Sequence, residues 1–237
     1  MHDAVLCMTG TVNVHTGQTL RTDPRLRLAD YKTAVRYYLD HTDLPVVFIE
    51  NSDFDFSGDA DFEAFAADAR FKLIRMSPHP DKSPGKGFQE FYMLDRFAAS
   101  TDARLMVKVT GRYVVKNIAR MIAEMRAPLH IDLHRKLGVA LTGFFAVETL
   151  IYNRFFAGKY READDPAGRY IEHVIYAAVT GTPLRKMTAL LPENPQFRGV
   201  SGSYGAGLER NRYKMMLRGA ERAVSRRLGI SEFLIEY

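Results

Sequence analysis

The chain has 237 residues, 46% of them hydrophobic, which is enough to bury a sizeable core in one large domain. We expect a cytoplasmic protein, because no secretory signal precedes the first apolar run and no stretch approaches the roughly 18 apolar residues of a membrane span. The formal net charge of +5 favours anionic partners without choosing among phosphates, membrane surfaces and nucleic acids. The single cysteine, Cys7, lies in an apolar run and is predicted to be a buried strand thiol.

Short β-rich runs alternate with helical patterns along the chain. Strands are predicted over residues 2–9, 44–50, 71–76, 103–109 and 129–133, with an apolar stretch over 138–146. Helices are predicted over residues 31–39, 59–69, 88–100, 117–125 and 169–178, with another around Tyr152. This rhythm predicts an α/β fold with a mostly parallel sheet flanked by helices, similar to a Rossmann fold. We expect one domain over 1–207 and a basic helix with a tail over 208–237.

Polar motifs follow three of the predicted strands. They are Met8-Thr9-Gly10, Glu50-Asn51-Ser52 and the segment from Lys108 through Thr110, Gly111 and Arg112 to Tyr113. Ligands of open α/β sheets bind outside the carboxyl ends of the strands, so these motifs are expected to line one edge of the sheet. The third motif combines a cation, a hydroxyl, a flexible glycine and a guanidinium, which suits a diphosphate. A plain turn with a surface arginine is an equally good interpretation of its spacing.

Two further segments are candidates for ligand contacts. Lys86 and Gly87 directly precede the helix predicted over 88–100, so Lys86 is expected to meet phosphate and Glu90 to meet a sugar or ribose hydroxyl. A solvated helix cap is the alternative for either residue. The loop over 198–207 contains Ser201, Gly202 and Ser203, whose backbone amides suit close approach to a ligand. The loop matches neither a dinucleotide-binding nor a P-loop pattern, and a flexible connector is its alternative interpretation.

The order of these motifs resembles a family of bacterial capsule and lipopolysaccharide glycosyltransferases with a GT-A-like fold. The resemblance is carried by Glu50-Asn51-Ser52, by Lys86-Gly87 with Glu90, by the segment 108–113 and by the segment 198–203. It implies transfer of a sugar from a nucleotide-activated donor to a glycan acceptor in the synthesis of a surface polysaccharide. No cofactor beyond the donor is implied.

Many GT-A enzymes carry an Asp-x-Asp metal motif where this chain has Lys108-Val109-Thr110-Gly111-Arg112. A positive side chain there would replace a metal ion as the counter-charge of the leaving diphosphate, so we expect no divalent metal. The alternative is a hard-cation site around Asp53 and Asp55, which form a literal Asp-x-Asp after an earlier strand.

Glu172 and His173 are the best candidates for the base that takes the proton of an acceptor hydroxyl. Both lie on a predicted helix, where a surface carboxylate and a hydrogen-bonded histidine are the plainer interpretations. Glu148 is the next candidate.

The segment 209–227 carries seven basic residues against two acidic ones. Methionine, leucine and valine interleave with the basic residues, which fits either a helix docked on the domain with its basic face in solvent or a helix lying on an anionic membrane. We expect peripheral attachment near a lipid-linked glycan acceptor.

A nucleic-acid-binding protein is the main alternative from another class. Aromatic side chains do not interleave with the basic run, where only Tyr213 falls, so we expect no nucleic-acid partner. Nucleotidyl or methyl transfer on the same kind of sheet is a second alternative, although the first strand lacks the Gly-rich loop usual for those reactions.

Overall fold

The computed structural model describes residues 3–14, 19–200 and 212–234. Its strands are β1 (Ala4–Gly10), β2 (Val46–Glu50), β3 (Phe71–Arg75), β4 (Leu105–Thr110), β5 (Val114–Val115), β6 (Leu129–His130), β7 (Leu133–His134), β8 (Val139–Ala140), β9 (Phe144–Glu148), β10 (Thr188–Ala189) and β11 (Phe197–Arg198). Its α-helices are α1 (Pro24–His41), α2 (Ala60–Ala66), α3 (Lys86–Ala98), α4 (Ile118–Glu124), α5 (Thr149–Phe155), α6 (Ile171–Thr180) and α7 (Arg212–Arg227). Two short 3-10 helices cover Lys159–Glu162 and Pro183–Met187.

The main sheet has seven strands in the order β10-β6-β9-β4-β1-β2-β3. All neighbouring pairs are parallel except those that β9 makes with β4 and β6. Strands β1 and β2 are almost continuous apolar runs, as expected for strands covered on both faces. The predicted mostly parallel sheet flanked by helices is therefore confirmed.

Each face of the sheet carries its own hydrophobic core. Apolar side chains of α3, α5 and α6 pack on one face, and those of α1, α2 and α4 pack on the other. Cys7 is buried in the first core, as predicted, and burial raises the pKa of its thiol well above the ordinary value. The layered packing holds the carboxyl ends of the parallel strands in fixed positions, which is what a binding site at that edge requires.

The second half of the chain departs from the predicted boundaries. The strand predicted over 129–133 is divided into β6 and β7. Strand β6 belongs to the main sheet, whereas β7 pairs with β8 in a separate two-stranded sheet, beside which the backbone N–H of Leu141 donates to the carbonyl of Asp132. Residues 180–207, a segment rich in proline and glycine that has no strand or helix among the predicted elements, contain a 3-10 helix and two short strands among their described residues. One of these, β10, extends the main sheet beside β6.

Helix α7 docks on the domain through its basic face, so the expectation that this face lies in solvent was wrong. Arg222 is buried and forms an ion pair with Asp132, and Arg218 contacts His134. Arg226 donates a hydrogen bond to the carbonyl of Pro192. Arginines at these positions lie on one side of the helix because three and four residues make about one turn. Among the described residues, no helix is long and apolar enough to cross a bilayer.

Candidate active site

A cavity of about 970 Å³ lies at the carboxyl ends of β1 and β4 and beside the first turn of α3. The sheet register brings the sequence motifs together there, because Thr9 pairs with Thr110 and Gly10 pairs with Glu50. The predicted residues that line the cavity are Thr9, Gly10, Asn51, Lys86, Gly87, Glu90, Thr110, Arg112, Tyr113, Glu172 and His173. A cavity of this size is sufficient for a nucleotide-sized ligand.

Six predicted residues either do not line the cavity or lie outside the described residues. Ser52, Lys108 and Gly111 lie behind the cavity surface. Ser201, Gly202 and Ser203 lie outside the described residues.

Two glycines let the strand ends approach each other at the cavity floor. A Cβ atom on Gly10 would lie 2.4 Å from the ring of Phe48, and one on Gly111 would lie 2.7 Å from the carbonyl oxygen of Thr9. Both distances are shorter than a side chain tolerates, so these positions require glycine. Gly111 therefore has a packing role, whereas Gly10 also contributes backbone to the cavity wall.

Lys108 is a buried counter-ion beneath the cavity. Its ammonium lies 2.8 Å from Oε1 of Glu90 and donates to the carbonyl of Thr142 at 2.7 Å and to the hydroxyl of Thr110 at 3.1 Å. An ammonium has three N–H donors, and these three acceptors engage all of them. The side chain is 1% exposed. The structure thus places Lys108 behind the surface on which a diphosphate was expected to lie, because a charge on a central strand needs buried partners.

Glu90 is an ionised carboxylate on the cavity wall. Burial alone would raise its pKa, but the charge of Lys108 and hydrogen bonds from Lys108 and Thr9 outweigh burial and hold the pKa below its usual range. The Thr9 hydroxyl donates to Oε1 at 2.5 Å, the same oxygen that meets Lys108. The side chain of Glu90 remains partly exposed to the cavity, so it is placed to accept a hydrogen bond from a ligand hydroxyl.

Glu172 is another carboxylate that lines the cavity, and its pKa is shifted in the opposite direction from that of Glu90. It lies in the first turn of α6, where burial raises the pKa and the negative charge of Glu90 raises it further, while Lys86 opposes the shift. The hydroxyl of Thr142 donates to its Oε1 at 3.3 Å. A carboxylate with a raised pKa takes up a proton more readily at neutral pH, which is the property of a general base. His173 follows it on the cavity wall, with its ring 5.7 Å from that of Tyr170.

Two buried arginines line the same cavity, and the sequence patterns indicated only one of them. Arg112 is 8% exposed, and its guanidinium donates to the carbonyl of Val200 at 3.1 Å. Arg27, on α1, donates to the carbonyl of Thr11 at 2.6 Å and to the hydroxyl of Tyr31 at 2.9 Å. Burial lowers the pKa of Arg27, and the charge of Arg112 acts in the same direction. Two positive charges that line one cavity and influence each other favour a bound anion.

The Glu50-Asn51-Ser52 motif shapes the loop after β1. Glu50 accepts a hydrogen bond from the backbone N–H of Val12 at 2.9 Å and contacts the hydroxyl of Ser52. Ser52 in turn accepts from the backbone N–H of Asn13 at 2.9 Å. Asn51 accepts from the hydroxyl of Thr11 at 2.6 Å and is the member of the motif that reaches the cavity.

Asp165 caps the start of α3 from another part of the chain. Its carboxylate accepts a hydrogen bond from the backbone N–H of Lys86 at 3.0 Å, and burial raises its pKa. A Cβ on Gly87 would lie 2.7 Å from Ile171, so α3 and α6 are in close contact at this point. This contact brings Lys86 within electrostatic reach of both Glu90 and Glu172. Nothing in the local sequence pattern marked Asp165.

The acidic segment after β2 lies apart from the residues that line the cavity. Asp55 accepts hydrogen bonds from the backbone and hydroxyl of Ser57, and Asp59 forms an ion pair with Lys32. Asp53 has a positive φ of 55°. Across residues 3–14, 19–200 and 212–234, no three histidine, cysteine, aspartate or glutamate side chains are grouped to hold a metal ion.

The architecture is shared with two kinds of transferase of known structure. No known protein family and no curated protein matches the sequence. The chain is similar in structure to the glycosyltransferase GlyE of Streptococcus pneumoniae TIGR4, with a TM-score of 0.50 and 8% identity over 79% of this chain; it spans 45% of that protein. It is also similar to the inositol-1-phosphate CTP transferase from T. maritima, with a TM-score of 0.53 and 9% identity over 90% of this chain and 94% of that one. At these identities the comparisons show that the chain has the fold common to GT-A glycosyltransferases and nucleotidyltransferases.

Proposed function

We propose that the protein is a glycosyltransferase that moves a sugar from a nucleotide-activated donor to a glycan hydroxyl. The observation that carries the proposal is the convergence of Arg27 and Arg112 with the carboxylate of Glu172 in one cavity at the carboxyl edge of the sheet. The guanidiniums provide positive charge for a leaving diphosphate, and the carboxylate provides a base for the attacking hydroxyl.

The donor occupies the part of the cavity near β1 and β4. Arg112 and Arg27 meet the diphosphate, and Lys86 adds a third positive charge from the first turn of α3. Glu90, held ionised by Lys108, accepts a hydrogen bond from a ribose or sugar hydroxyl. In this arrangement the protein's own cations neutralise the leaving group, and no divalent metal takes part.

The transfer is a displacement at the anomeric carbon. The acceptor oxygen forms a bond to that carbon as the bond to the diphosphate oxygen breaks, and the nucleoside diphosphate leaves with the electron pair. Glu172 takes the proton of the acceptor hydroxyl. A base in this role is a requirement of inverting transfer, so we propose that the configuration at the anomeric carbon is inverted.

The acceptor we propose is a lipid-linked glycan of a bacterial surface polysaccharide, such as capsule or lipopolysaccharide, used at the inner face of the plasma membrane. The support is the motif resemblance together with the apolar side chains of the cavity lining, which include Leu137, Val139 and Leu141. Apolar surface beside a sugar site suits a substrate that is partly lipid.

A ligand screen followed by a turnover assay tests the proposal. Thermal shift is measured with UDP-, GDP-, CMP- and dTDP-sugars, and in parallel with CTP, other free nucleoside triphosphates and S-adenosylmethionine. We expect one UDP-, GDP- or dTDP-sugar to raise the unfolding temperature and to release its nucleoside diphosphate when glycan acceptors are added; a CMP-sugar would release CMP instead. Stabilisation by CTP alone, with release of pyrophosphate, would establish nucleotidyl transfer instead.

Substitution of the proposed base sharpens the test. Glu172→Gln keeps the size of the side chain and should lower turnover by at least about a hundredfold while donor binding persists. Glu162→Gln, an exposed carboxylate on the neighbouring 3-10 helix, is the matched control and should be fully active. Full activity of Glu172→Gln would exclude this residue as the base.

A further inference from the structure

The outward face of α7 is apolar. The side chains of Met216, Val224 and Leu228 are 73%, 56% and 67% exposed, and Ala220 lies between them in the same exposed stripe. Residues 216, 220, 224 and 228 are spaced by four, so they lie along one side of a helix. Tyr213 and Leu217 are exposed beside this stripe. We refer to residues 213, 216, 217, 220, 224 and 228 as the α7 stripe.

The inward face of the same helix is polar. Arg222 and Ser225 are buried, and Arg218 and Arg226 contact the domain, as described above. A surface helix of a soluble protein normally buries its apolar side and exposes its charged side. Helix α7 has the reverse orientation: its apolar side chains are exposed to solvent and its arginines face the domain. What distinguishes this surface is the orientation of the helix, with its apolar side outward and its arginines inward.

The charge around the α7 stripe is positive. Lys214 and Arg227 are exposed on α7 beside the stripe. The two acidic side chains described in this part of the chain are engaged elsewhere: Glu221 accepts from the backbone N–H of Leu234, and Glu232 accepts from Tyr176 and Arg185. Apolar side chains flanked by lysine and arginine are the pattern of helices that lie in the interface of anionic bilayers.

The size of the stripe distinguishes a bilayer from a second protein copy. A 16-residue helix is about 24 Å long and about 10 Å wide, which gives a footprint of about 240 Å². A stable dimer buries about 800 Å² on each partner, so the stripe alone falls well short of a dimer interface. A helix that lies in the bilayer interface binds through its apolar face alone, so an area of this size is sufficient for a membrane.

We propose that the protein binds the surface of anionic membranes through the α7 stripe, with the apolar side chains inserted and Lys214 and Arg227 at the lipid head groups. The partner is therefore a lipid surface that carries negative charge. This proposal does not depend on glycosyl transfer, since membrane binding is measured without donor or acceptor. It differs from a helix that is held on the membrane by all of its basic residues, because Arg218, Arg222 and Arg226 contact the domain.

Co-sedimentation with vesicles tests the proposal. The intact protein is mixed with vesicles of phosphatidylglycerol and phosphatidylcholine in equal parts, and with vesicles of phosphatidylcholine alone. We expect binding to the anionic vesicles and at least about tenfold weaker partitioning to the neutral ones. The combined variant Met216→Gln, Val224→Gln and Leu228→Gln should partition to anionic vesicles at least about tenfold less than the intact protein, because three inserting side chains are lost.

The matched control replaces exposed leucines away from α7. Leu20→Gln, Leu26→Gln and Leu150→Gln together remove a similar amount of exposed apolar surface and should bind anionic vesicles like the intact protein. Thermal unfolding of each variant verifies the fold. Equal sedimentation of the intact protein and the α7 variant would overturn the proposal. So would a dimer in analytical ultracentrifugation that the α7 variant abolishes while no protein binds vesicles, because the stripe would then contact a second copy.

Discussion

Asp132 and Arg222 form a bidentate ion pair, with nitrogen to oxygen distances of 2.7 and 2.8 Å, across 90 residues of sequence. Both side chains are almost fully buried. Leu191 and Asn194 supply further hydrogen-bond acceptors to the guanidinium. The pair joins the residue between β6 and β7 to the middle of α7, so the helix is held by a specific buried contact.

Replacing Arg222 with methionine should destabilise the protein by about 3–5 kcal/mol, because Asp132 is left charged and buried without its partner. Chemical denaturation followed by circular dichroism measures the free energy of unfolding. Arg227→Met, on the outward side of the same helix, is the control and should change stability by less than about 0.5 kcal/mol. Equal effects of the two substitutions would contradict the role of the ion pair.

Lys108→Met should also be destabilising, by about 1–3 kcal/mol, because the partly exposed carboxylate of Glu90 would lose its counter-ion. A second substitution, Glu90→Gln, removes that charge and should restore part of the lost stability. The restoration is the informative result, since a lysine that served only a bound ligand would show no coupling to Glu90 in the free protein. Lys116→Met, at an exposed position, is the control.

Glu172→Gln should raise thermal stability in a pH-dependent way. The folded-state pKa of Glu172 is raised, mainly by burial, so its favourable contribution is complete below the unfolded value of about 4.3 and is lost as the pH rises through the folded value. Glutamine does not ionise, so the variant should gain stability over the intact protein as the pH increases. Unfolding temperatures measured from about pH 4 to about pH 8 should diverge. Parallel curves would show that the environment of Glu172 does not raise its pKa.

Arg112→Ala should weaken donor binding by about 1.5–3 kcal/mol if the guanidinium makes a charge-assisted hydrogen bond to the diphosphate. Isothermal titration with the nucleotide-sugar found in the screen measures the change. Arg120→Ala removes an exposed arginine from α4 and should leave the affinity unaltered. Unchanged affinity in a folded Arg112→Ala protein would remove this residue from the donor site.

Transfer activity should persist in EDTA, since Arg27, Arg112 and Lys86 are proposed to neutralise the diphosphate. The measurement is nucleoside diphosphate release before and after chelation. Loss of activity that Mn²⁺ or Mg²⁺ restores would contradict the prediction. Asp53→Asn and Asp55→Asn would then be the first substitutions to examine.

Local patterns predicted the parallel sheet and the meeting of its motifs, because strand ends of a parallel sheet share one edge. They did not predict that Lys108 would be buried, since its position on a strand does not reveal that Glu90 on α3 and Thr142 before β9 supply its acceptors. Arg27 was missed for a related reason: it lies in an ordinary helical pattern, and only the folded loop after β1 brings it to the cavity.

The orientation of α7 is the clearest case in which sequence was insufficient. The helical pattern separates the apolar side from the basic side, but it does not say which side faces the domain. That choice depends on Asp132, His134 and the carbonyl of Pro192, which come from distant parts of the chain. Because these groups contact the arginines of α7, the basic side of the helix faces the domain and the α7 stripe is exposed.

The strand ends pack closely at Gly10 and Gly111, which limits how the proposed donor site can be engineered. A side chain at Gly10 would collide with Phe48, and one at Gly111 would collide with the backbone of Thr9, so neither position can be used to adjust ligand preference. Libraries that aim to change the donor should therefore leave both glycines fixed and vary the side walls, where Thr11 and Tyr113 face the ligand space. Redesign of the proposed donor site would therefore change the side chains around the cavity and keep these two glycines.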